Sequence, residues 1–399
     1  MHDISTPAQK QKTGSSALKF VVLIGVVSLF ADMTYEGARS ITGPYLAVLG
    51  ATGTAVGIIA GFGEFAGYAL RLASGFLADK TKRYWTLTIV GYAVNLLAVP
   101  LLAVAGRWET AGLLMVMERV GKGVRTPARD AMLSHAASGI GAGWAFGLHE
   151  ALDQIGATVG PLIVAAVLIF KGSYPFSFAV LLVPAVLALS TLAAACLLYP
   201  RPRDLEPLSS SLATKGFSGL FWIYLAAAAC VAAGYADFSL VAYHFEKAGS
   251  VPDKWIPIFY ALAMGFDGLA AVVCGFWFDR KGIAVLIIGA LVSAFFAPLV
   301  FYGNFYLALA GVVLWGIGMG AQESILRAVI AGMVEARRRG TAYGVFNAGF
   351  GLSWFLGSMV MGMLYDFSLL SLVVFSIGAQ LAAIPLLLVI KGKVTQPRG

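Results

Sequence analysis

Apolar residues fill this chain in runs of helix length, and polar residues gather in the short intervals between them. Twelve runs are read: 18–43, 53–78, 85–105, 110–135, 143–170, 174–199, 217–245, 255–278, 283–302, 305–333, 340–365 and 368–390. Each holds about 20 residues or more, enough at 1.5 Å rise per residue to cross a hydrocarbon core about 30 Å thick. The runs are too long and too evenly apolar for the alternating strands of a membrane barrel. The pattern therefore predicts an all-α polytopic membrane protein with twelve transmembrane helices. One long polar interval, 200–216, opens with Pro200, Arg201, Pro202, Arg203 and Asp204 and divides the helices six and six. The predicted organisation is an N-terminal tail (1–17), a first six-helix half (18–199), a linker (200–216), a second six-helix half (217–391) and a C-terminal tail (392–399).

Composition agrees with this pattern. The chain is 59% hydrophobic and only 12% charged, where soluble proteins run near 25% charged. Its net charge of +8 raises the question of a nucleic-acid partner, and the placement of the charge answers it. With the N-terminus in the cytoplasm, the inner loops hold Lys80, Lys82, Arg83, Arg337, Arg338 and Arg339 among others. The outer loops hold only Arg107, Lys171, Lys247 and Lys254. That is a positive-inside bias, which puts both termini in the cytoplasm of a bacterial inner membrane and removes the case for nucleic acid. The first run is too long for the apolar core of a signal peptide and is read as a retained helix. Cys196, Cys230 and Cys274 all lie in apolar runs with no disulfide spacing. His149 has no companions spaced for a metal, and no phosphate-binding loop or nucleophile–base pair is present. No metal, cofactor or enzymatic activity is predicted, and ATP-driven pumping is excluded.

The halves echo one another. Gly75-Phe76-Leu77-Ala78-Asp79-Lys80 returns as Gly275-Phe276-Trp277-Phe278-Asp279-Arg280. Gly121, Gly123, Gly147 and Gly160 return as Gly318, Gly320, Gly344 and Gly357, at a constant offset of 197. Several matches at nearly one offset indicate a duplicated six-helix unit.

These motifs resemble those of the major facilitator superfamily, over essentially the whole chain. Gly75, Leu77, Ala78, Asp79, Lys80 and Arg83 resemble its loop between helices two and three, except that Lys82 stands where a glycine is usual; the second copy, Asp279-Arg280-Lys281-Gly282, keeps that glycine. Arg119-x-x-x-Gly123 resembles its proton-transfer motif. Gly147, Gly156 and Gly160, followed by Pro161, resemble the helix-five motif of its proton-driven antiporters, with Val164-Ala165 where a glycine pair is typical. The run from Gly121 to Asp130 resembles a bacterial subgroup with no assigned substrate. The resemblance implies alternating access between two rocking halves and export rather than uptake. It also implies that Asp79 latches an outward-open state against the start of helix eleven near Gly340. In physical terms, a carboxylate at the end of helix two can meet the positive end of a neighbouring helix, and Gly75 removes the side chain that would hold that helix off.

Charges in hydrocarbon cost roughly 2.5–3.5 kcal/mol each, so they need partners or water, and here they concentrate in the first half. Helix one carries Asp32, Glu36 and Arg39 on one face; helix two carries Glu64 and Arg71; helix four carries Glu118, Lys122, Arg125 and Arg129 on one stripe, with Arg119 beside it. Helix five adds His149, Glu150 and Asp153. The second half offers Asp237, Asp267, Glu323 and Arg327. Asp32 and Glu36, near Arg39, are the expected proton-coupling carboxylates; the alternative is a static ion pair with Arg39, which could also reach helix two. Glu150 and Asp153 either join them or pair with Arg119 or Arg125. Glu64 and Arg71 are expected to neutralise one another. Trp222, Tyr235, Tyr243, Trp315, Phe346, Phe350 and Trp354 are expected to form a greasy opposite wall suited to an amphipathic solute.

The leading expectation is a proton-coupled exporter of a small-molecule substrate, embedded in the lipid bilayer as a monomer. A proton symporter or facilitator importing a small solute is the first alternative, and a non-transporting membrane sensor or partner subunit is the alternative of another class.

Overall fold

Every predicted run is helical, three of them in two pieces. The computed structural model describes residues 7–137, 142–200, 217–334 and 339–394; a few side chains inside helices, those of Asp79, Asp279 and Arg327 among them, lie outside that description. The first half comprises α1 (Pro7–Val48), α2 (Gly53–Thr81), α3 (Tyr84–Leu101), α4 (Trp108–Ala137), α5 (Ala142–Lys171) and α6, in consecutive pieces Tyr174–Val180 and Leu182–Leu198. The second comprises α7 (Gly219–Gly234, then Phe238–Ala248), α8 (Ile256–Lys281), α9 (Ala284–Ala294, then Phe296–Tyr302), α10 (Phe305–Met333), α11 (Arg339–Phe367) and α12 (Leu369–Val394). Eleven of the twelve are long and apolar enough to cross a membrane. The twelfth, α4, falls short on composition because Glu118, Arg119, Lys122, Arg125, Arg129 and Asp130 crowd its middle stretch.

Lipid tails are as apolar as leucine, so helices in a bilayer associate through close packing rather than hydrophobic collapse. The repeated glycines supply that packing, and their repeat is one of contacts as well as sequence. A Cβ at Gly121 would strike the backbone of Asn95 in α3, and one at Gly318 would strike Ser293 in α9. Gly123 lies against the backbone of Gly67 in α2, and Gly320 against that of Asp267 in α8. Gly160 lies against Met33 in α1, and Gly357 against Ala233 in α7. Each pair joins corresponding helices of the two halves. Gly147 departs from the expectation, with no atom within 4 Å of an added Cβ, although its counterpart Gly344 meets Leu72.

The run read as one helix at 217–245 is broken at Tyr235, Ala236 and Asp237. Freed backbone carbonyls inside a membrane need internal donors, and they have them. The Gly234 carbonyl accepts from Ser376 Oγ at 2.7 Å and Gln380 Nε2 at 3.2 Å, and the Ala236 carbonyl from Trp315 Nε1 at 2.9 Å. The Tyr235 hydroxyl donates to the Trp315 carbonyl. Asp237 then caps the second piece, its Oδ1 accepting from the Ser239 N–H at 2.8 Å. The break thus leaves a carboxylate at mid-membrane depth.

The halves close on each other at the end away from the chain termini. Asp366, at the end of α11, accepts from the N–H groups of Gly53 and Thr54 at 2.8 Å each and from Thr54 Oγ1 at 2.7 Å. A carboxylate there satisfies orphan donors and faces the positive end of the α2 dipole. Tyr243 donates to the Ala51 carbonyl at 2.9 Å, and Tyr174 to Glu246 at 2.7 Å. Toward the other end the halves part around a cavity of about 450 Å³, where Glu150 and Glu323 on its wall are exposed.

At the terminal end, Gly75 has Pro127 of α4 as its neighbour at 3.5 Å, an ordinary contact. The side chains of Asp79 and Asp279 and residues 335–338, just before Gly340, lie outside the described residues. Lys80 and Arg83 are exposed, and Arg280 lies 4.2 Å over the Phe276 ring. Lys82, where a glycine is usual, still makes the turn: it adopts a left-handed φ of 58° and its N–H donates to Ala78 at 2.8 Å.

The packing predicts opposite outcomes for two glycines of one motif. Gly160→Ala puts a Cβ 2.8 Å from the Met33 Cα and should destabilise by about 1–3 kcal/mol, as overpacking does. Gly147→Ala should be neutral or slightly stabilising through helix propensity. Melting of the detergent-purified protein, followed by intrinsic fluorescence, checks this; equal melting of the two variants would contradict the packing.

Candidate functional site

Ser28, Asp32, Glu36 and Arg39 recur on α1 at intervals of three and four, so they form one strip. At 1.5 Å per residue the strip runs about 16 Å along the helix, and the three charged members line the cavity. Its floor, nearest the closed end, is an ion network between the halves. Arg39 Nη2 lies 3.1 Å from Glu64 Oε1 of α2 and 2.9 Å from Asp237 Oδ2 at the α7 break. Glu64 Oε1 also meets Arg119 Nη2 at 3.3 Å, and Arg119 Nε meets Glu118 Oε2 at 3.3 Å. Asn95 Nδ2 donates to Glu118 Oε1 at 2.8 Å and to the Glu118 carbonyl at 3.0 Å. Two guanidinium groups are thus held by three carboxylates from three different helices.

One turn further, Glu36 is held from both halves. Tyr260 of α8 donates to its Oε2 at 2.5 Å, and Lys122 Nζ of α4 stands 3.8 Å from its Oε1. Lys122 also lies 4.1 Å over the Tyr35 ring. Asp32, only 6% exposed, is different: its Oδ1 has no hydrogen-bond partner. It packs beside Gly156, where an added Cβ would come 3.0 Å from the Asp32 Cβ. The glycine of the helix-five motif is what leaves room for this carboxylate.

Toward the open end, Arg129 of α4 pairs with Asp130 at 2.9 Å and donates to Ser28 Oγ at 3.1 Å. Ser28 Oγ lies 3.3 Å from the Tyr92 hydroxyl and 3.5 Å from His149 Nε2, and His149 Nε2 lies 3.7 Å from Asp153 Oδ2. Asp153 Oδ1 has no partner. Arg125 is 1% exposed and stacks 4.2 Å over the Tyr92 ring.

Asp32, Glu36, Arg39, Arg119, Lys122, Arg125, Glu150, Asp153 and Glu323 therefore line one cavity, and Asp237 enters its floor. Several expected pairings are replaced. Glu64 binds Arg39 and Arg119 instead of Arg71, because α2 turns it toward the floor, where both guanidinium groups lie. Arg71 instead lies 4.9 Å over the Tyr68 ring. Arg39 pairs off its own helix, and its contact with Glu64 is the reach across to helix two that the ion-pair alternative included. Asp153 neighbours His149 rather than Arg119 or Arg125. The aromatic wall is narrower than expected: Trp315, Phe346, Phe350 and Trp354 line the cavity, whereas Trp222 is half exposed on the outer surface, Tyr235 is buried at the α7 break and Tyr243 serves the closed end. Tyr35, Tyr92, Tyr260, Asn95 and Asp366 were not singled out from the sequence; a tyrosine amid charged positions of one helix, as Tyr35 is, was the available signal.

Residues 23–284 and 253–398 match the family model of the Major Facilitator Superfamily. A Mycobacterium tuberculosis protein described as uncharacterized is 43% identical over 383 residues, covering 94% of each chain. An uncharacterized MFS-type transporter of Methanocaldococcus jannaschii is 24% identical, over 88% of this chain and 89% of its own. Among solved structures, the nucleoside transporter NupG superposes with a TM-score of 0.72 at 14% identity, covering 95% of this chain and 100% of that one. That similarity is one of fold.

The floor network predicts strong coupling. Asp237→Ala leaves Arg39 underpaired in a buried site and should cost roughly 3–5 kcal/mol. The double variant Arg39→Gln with Asp237→Ala should recover much of that loss. Thermal unfolding of the single and double variants measures the coupling; strict additivity would show that the pair does not act as one.

Proposed function

This chain belongs to the major facilitator superfamily, and from that premise we propose that it is a proton-coupled exporter of a small amphipathic solute. It is a multi-pass membrane transporter with two six-helix halves. In this proposal both termini are cytoplasmic in a bacterial inner membrane, as the positive-inside bias favours, so the cavity faces the cytoplasm. The bodies at 18–199 and 217–391 rock as units about the midplane site, joined by the linker at 200–216, and one monomer suffices.

The observation that carries the proton reading is Asp32. A buried carboxylate with an unpartnered oxygen, on the cavity wall and seated by Gly156, is placed to exchange a proton with water entering the cavity. Asp153, on the adjoining helix with its own unpartnered Oδ1, extends the path toward the open end. Glu36, by contrast, is already engaged by Tyr260 and Lys122 and serves to report the state of the site to α8. In the cycle, solute enters from the cytoplasm, the floor network and the Asp366 cap release, and the opposite end closes. Asp79, at the far end of α2 from Gly53, is proposed as the counterpart latch for that second state, with Gly75, Lys80, Arg83, Asp279 and Arg280 shaping the two loops around it. Gly156, Gly160 and Pro161 keep α5 close to α1 through the cycle.

Inverted vesicles carrying the protein, acidified inside by respiration and followed with a quenched acridine dye, provide the test. Adding candidate solutes one at a time should restore fluorescence for a solute class in the wild-type protein and not in Asp32→Asn. An unaltered response in Asp32→Asn removes α1 from proton coupling. Silence across the panel, with labelled solute entering whole cells, would instead support import by symport or facilitation.

A further inference from the structure

The unpartnered polar atoms of the cavity are acceptors, the oxygens of carboxylates and of the Gln154 and Gln322 amides, and donors, the guanidinium and indole N–H groups. Carboxylates such as Asp32 and Asp153 can satisfy an empty oxygen by taking a proton. A guanidinium cannot make the corresponding adjustment, because it is always charged and has donors only. Arg125 is the sharpest instance. It is 1% exposed, its Nε and Nη1 have no hydrogen-bond partner, and among the described residues Asp32 and Asp153 act on it only from beyond ion-pair distance. The rings of Tyr92 and Tyr35, at 4.2 and 5.7 Å, hold it in place, and an aromatic face attracts a cation without neutralising it. Arg39, Arg119 and Arg129, on the same cavity wall, all have carboxylate partners. Arg71 Nε and, on the opposite wall, Trp354 Nε1 are also donors with no acceptor.

An unpaired buried cation is costly wherever it lies, and at membrane depth it marks a place where a counter-charge arrives. Lys122 stands one turn from Arg125 on the same face of α4, only loosely engaged at 3.8 Å from Glu36. Across the cavity, Phe346, Phe350 and Trp354 form a continuous aromatic row with ring centroids 6.0 and 5.9 Å apart. The cavity, about 450 Å³, is within the range of small-molecule sites.

We propose that the solute is an amphipathic organic anion: its carboxylate, phosphate or sulfonate group binds Arg125 and Lys122 of α4, and its apolar body lies on the Phe346, Phe350 and Trp354 row of α11. This rests on the cavity's being the substrate site, as proposed above. The protons taken up by Asp32 and Asp153 and the anion taken up by Arg125 are then complementary loads on facing groups of one wall.

The test uses the full-length protein purified in a neutral detergent and matched probes: 4-phenylbutyrate, phenyl phosphate and longer aryl and alkyl carboxylates and sulfonates, against 4-phenylbutylamine, 4-phenylbutanol and inorganic phosphate. The melting temperature should rise with concentration for members of the anionic amphipathic series and not for the amine, the alcohol or inorganic phosphate. In Arg125→Gln the apparent Kd should weaken roughly 10- to 100-fold, the loss of one charged hydrogen-bonding partner, while Arg125→Lys keeps part of the affinity. Should Arg125→Gln fail to yield monodisperse protein, Arg125→Lys and Lys122→Gln make the same measurement, and an affinity unmoved in both overturns the proposal. So does stabilisation by the amine or alcohol at equal concentration, by inorganic phosphate alone, or by no anion in the series. Anion binding without dissipation of the acid gradient would leave this inference standing and remove proton-coupled export. Dissipation driven by a lipophilic cation, without anion binding, would do the reverse.

Discussion

The cost of charge in hydrocarbon organises this protein. Roughly 2.5–3.5 kcal/mol per charged residue at the centre of a span forbids α4 from facing lipid, since five charged positions follow one another from Glu118 to Arg129. Those charges can only turn inward, and once inward they must find partners or water. The partners come from α1, α2 and the α7 break, and the remaining volume is the cavity. Arg39 is the junction of this arrangement: its two contacts, to Glu64 and Asp237, bind α1 to its own half and to the other half at once. The α7 break therefore has a definite consequence. An unbroken helix would give Asp237 no cap to make, and its carboxylate would not be held at that point of the floor by the Ser239 N–H.

Charge determines what lies inside, and glycine determines how closely the helices lie. With no hydrophobic force to draw helices together in lipid, the backbone contacts of Gly123, Gly160, Gly320 and Gly357 set the spacing on which the ion distances depend. A chain that duplicates a six-helix unit duplicates these contacts, and for this reason the offset of 197 was readable without any structure. The spans were readable for a similar reason: length and apolarity are properties of single segments. Charge pairing is not. Glu64 and Arg71 share a face of α2, and nothing local indicates that Glu64 will find Arg39 and Arg119 while Arg71 turns to Tyr68. Partners from another helix depend on crossing geometry, which one sequence does not contain. The same holds for Asp366, whose role appears only when the start of α2 is brought to the end of α11, and for Tyr260, an unremarkable aromatic until it meets Glu36.

The helix-five glycines illustrate how a motif can be read correctly in kind and wrongly in part. Their spacing indicated close approach of a neighbouring backbone, and Gly156 and Gly160 make that approach to Leu29 and Met33 of α1. Gly147 belongs to the same pattern yet meets nothing within 4 Å, because it lies near the open end, where the helices have parted. A position empty in this arrangement is one that a closing movement can fill, so its isolation and the cavity have one origin.

The two ends of the bundle are consequently unequal in a way that bears on energetics. The closed end holds the Asp366 cap, the Tyr243 and Tyr174 bonds and the Arg39–Asp237 pair. The charge-assisted bonds among these, at Asp366, Glu246 and Asp237, contribute on the order of 1.5–3 kcal/mol each, and the neutral Tyr243 bond contributes less, so opening that end requires interactions of similar size to form elsewhere. A ligand can shift such an equilibrium only by its differential affinity for the two states. A solute that neutralises Arg125 while touching α11 would act on both halves at once, α4 through its charge and α11 through its aromatic row. A proton on Asp32 acts at the α1–α5 contact that Gly156 makes close. Proton and solute would then bear on different seams of one structure, and that separation lets each influence the other's binding through the movement of the halves without competing for the same atoms.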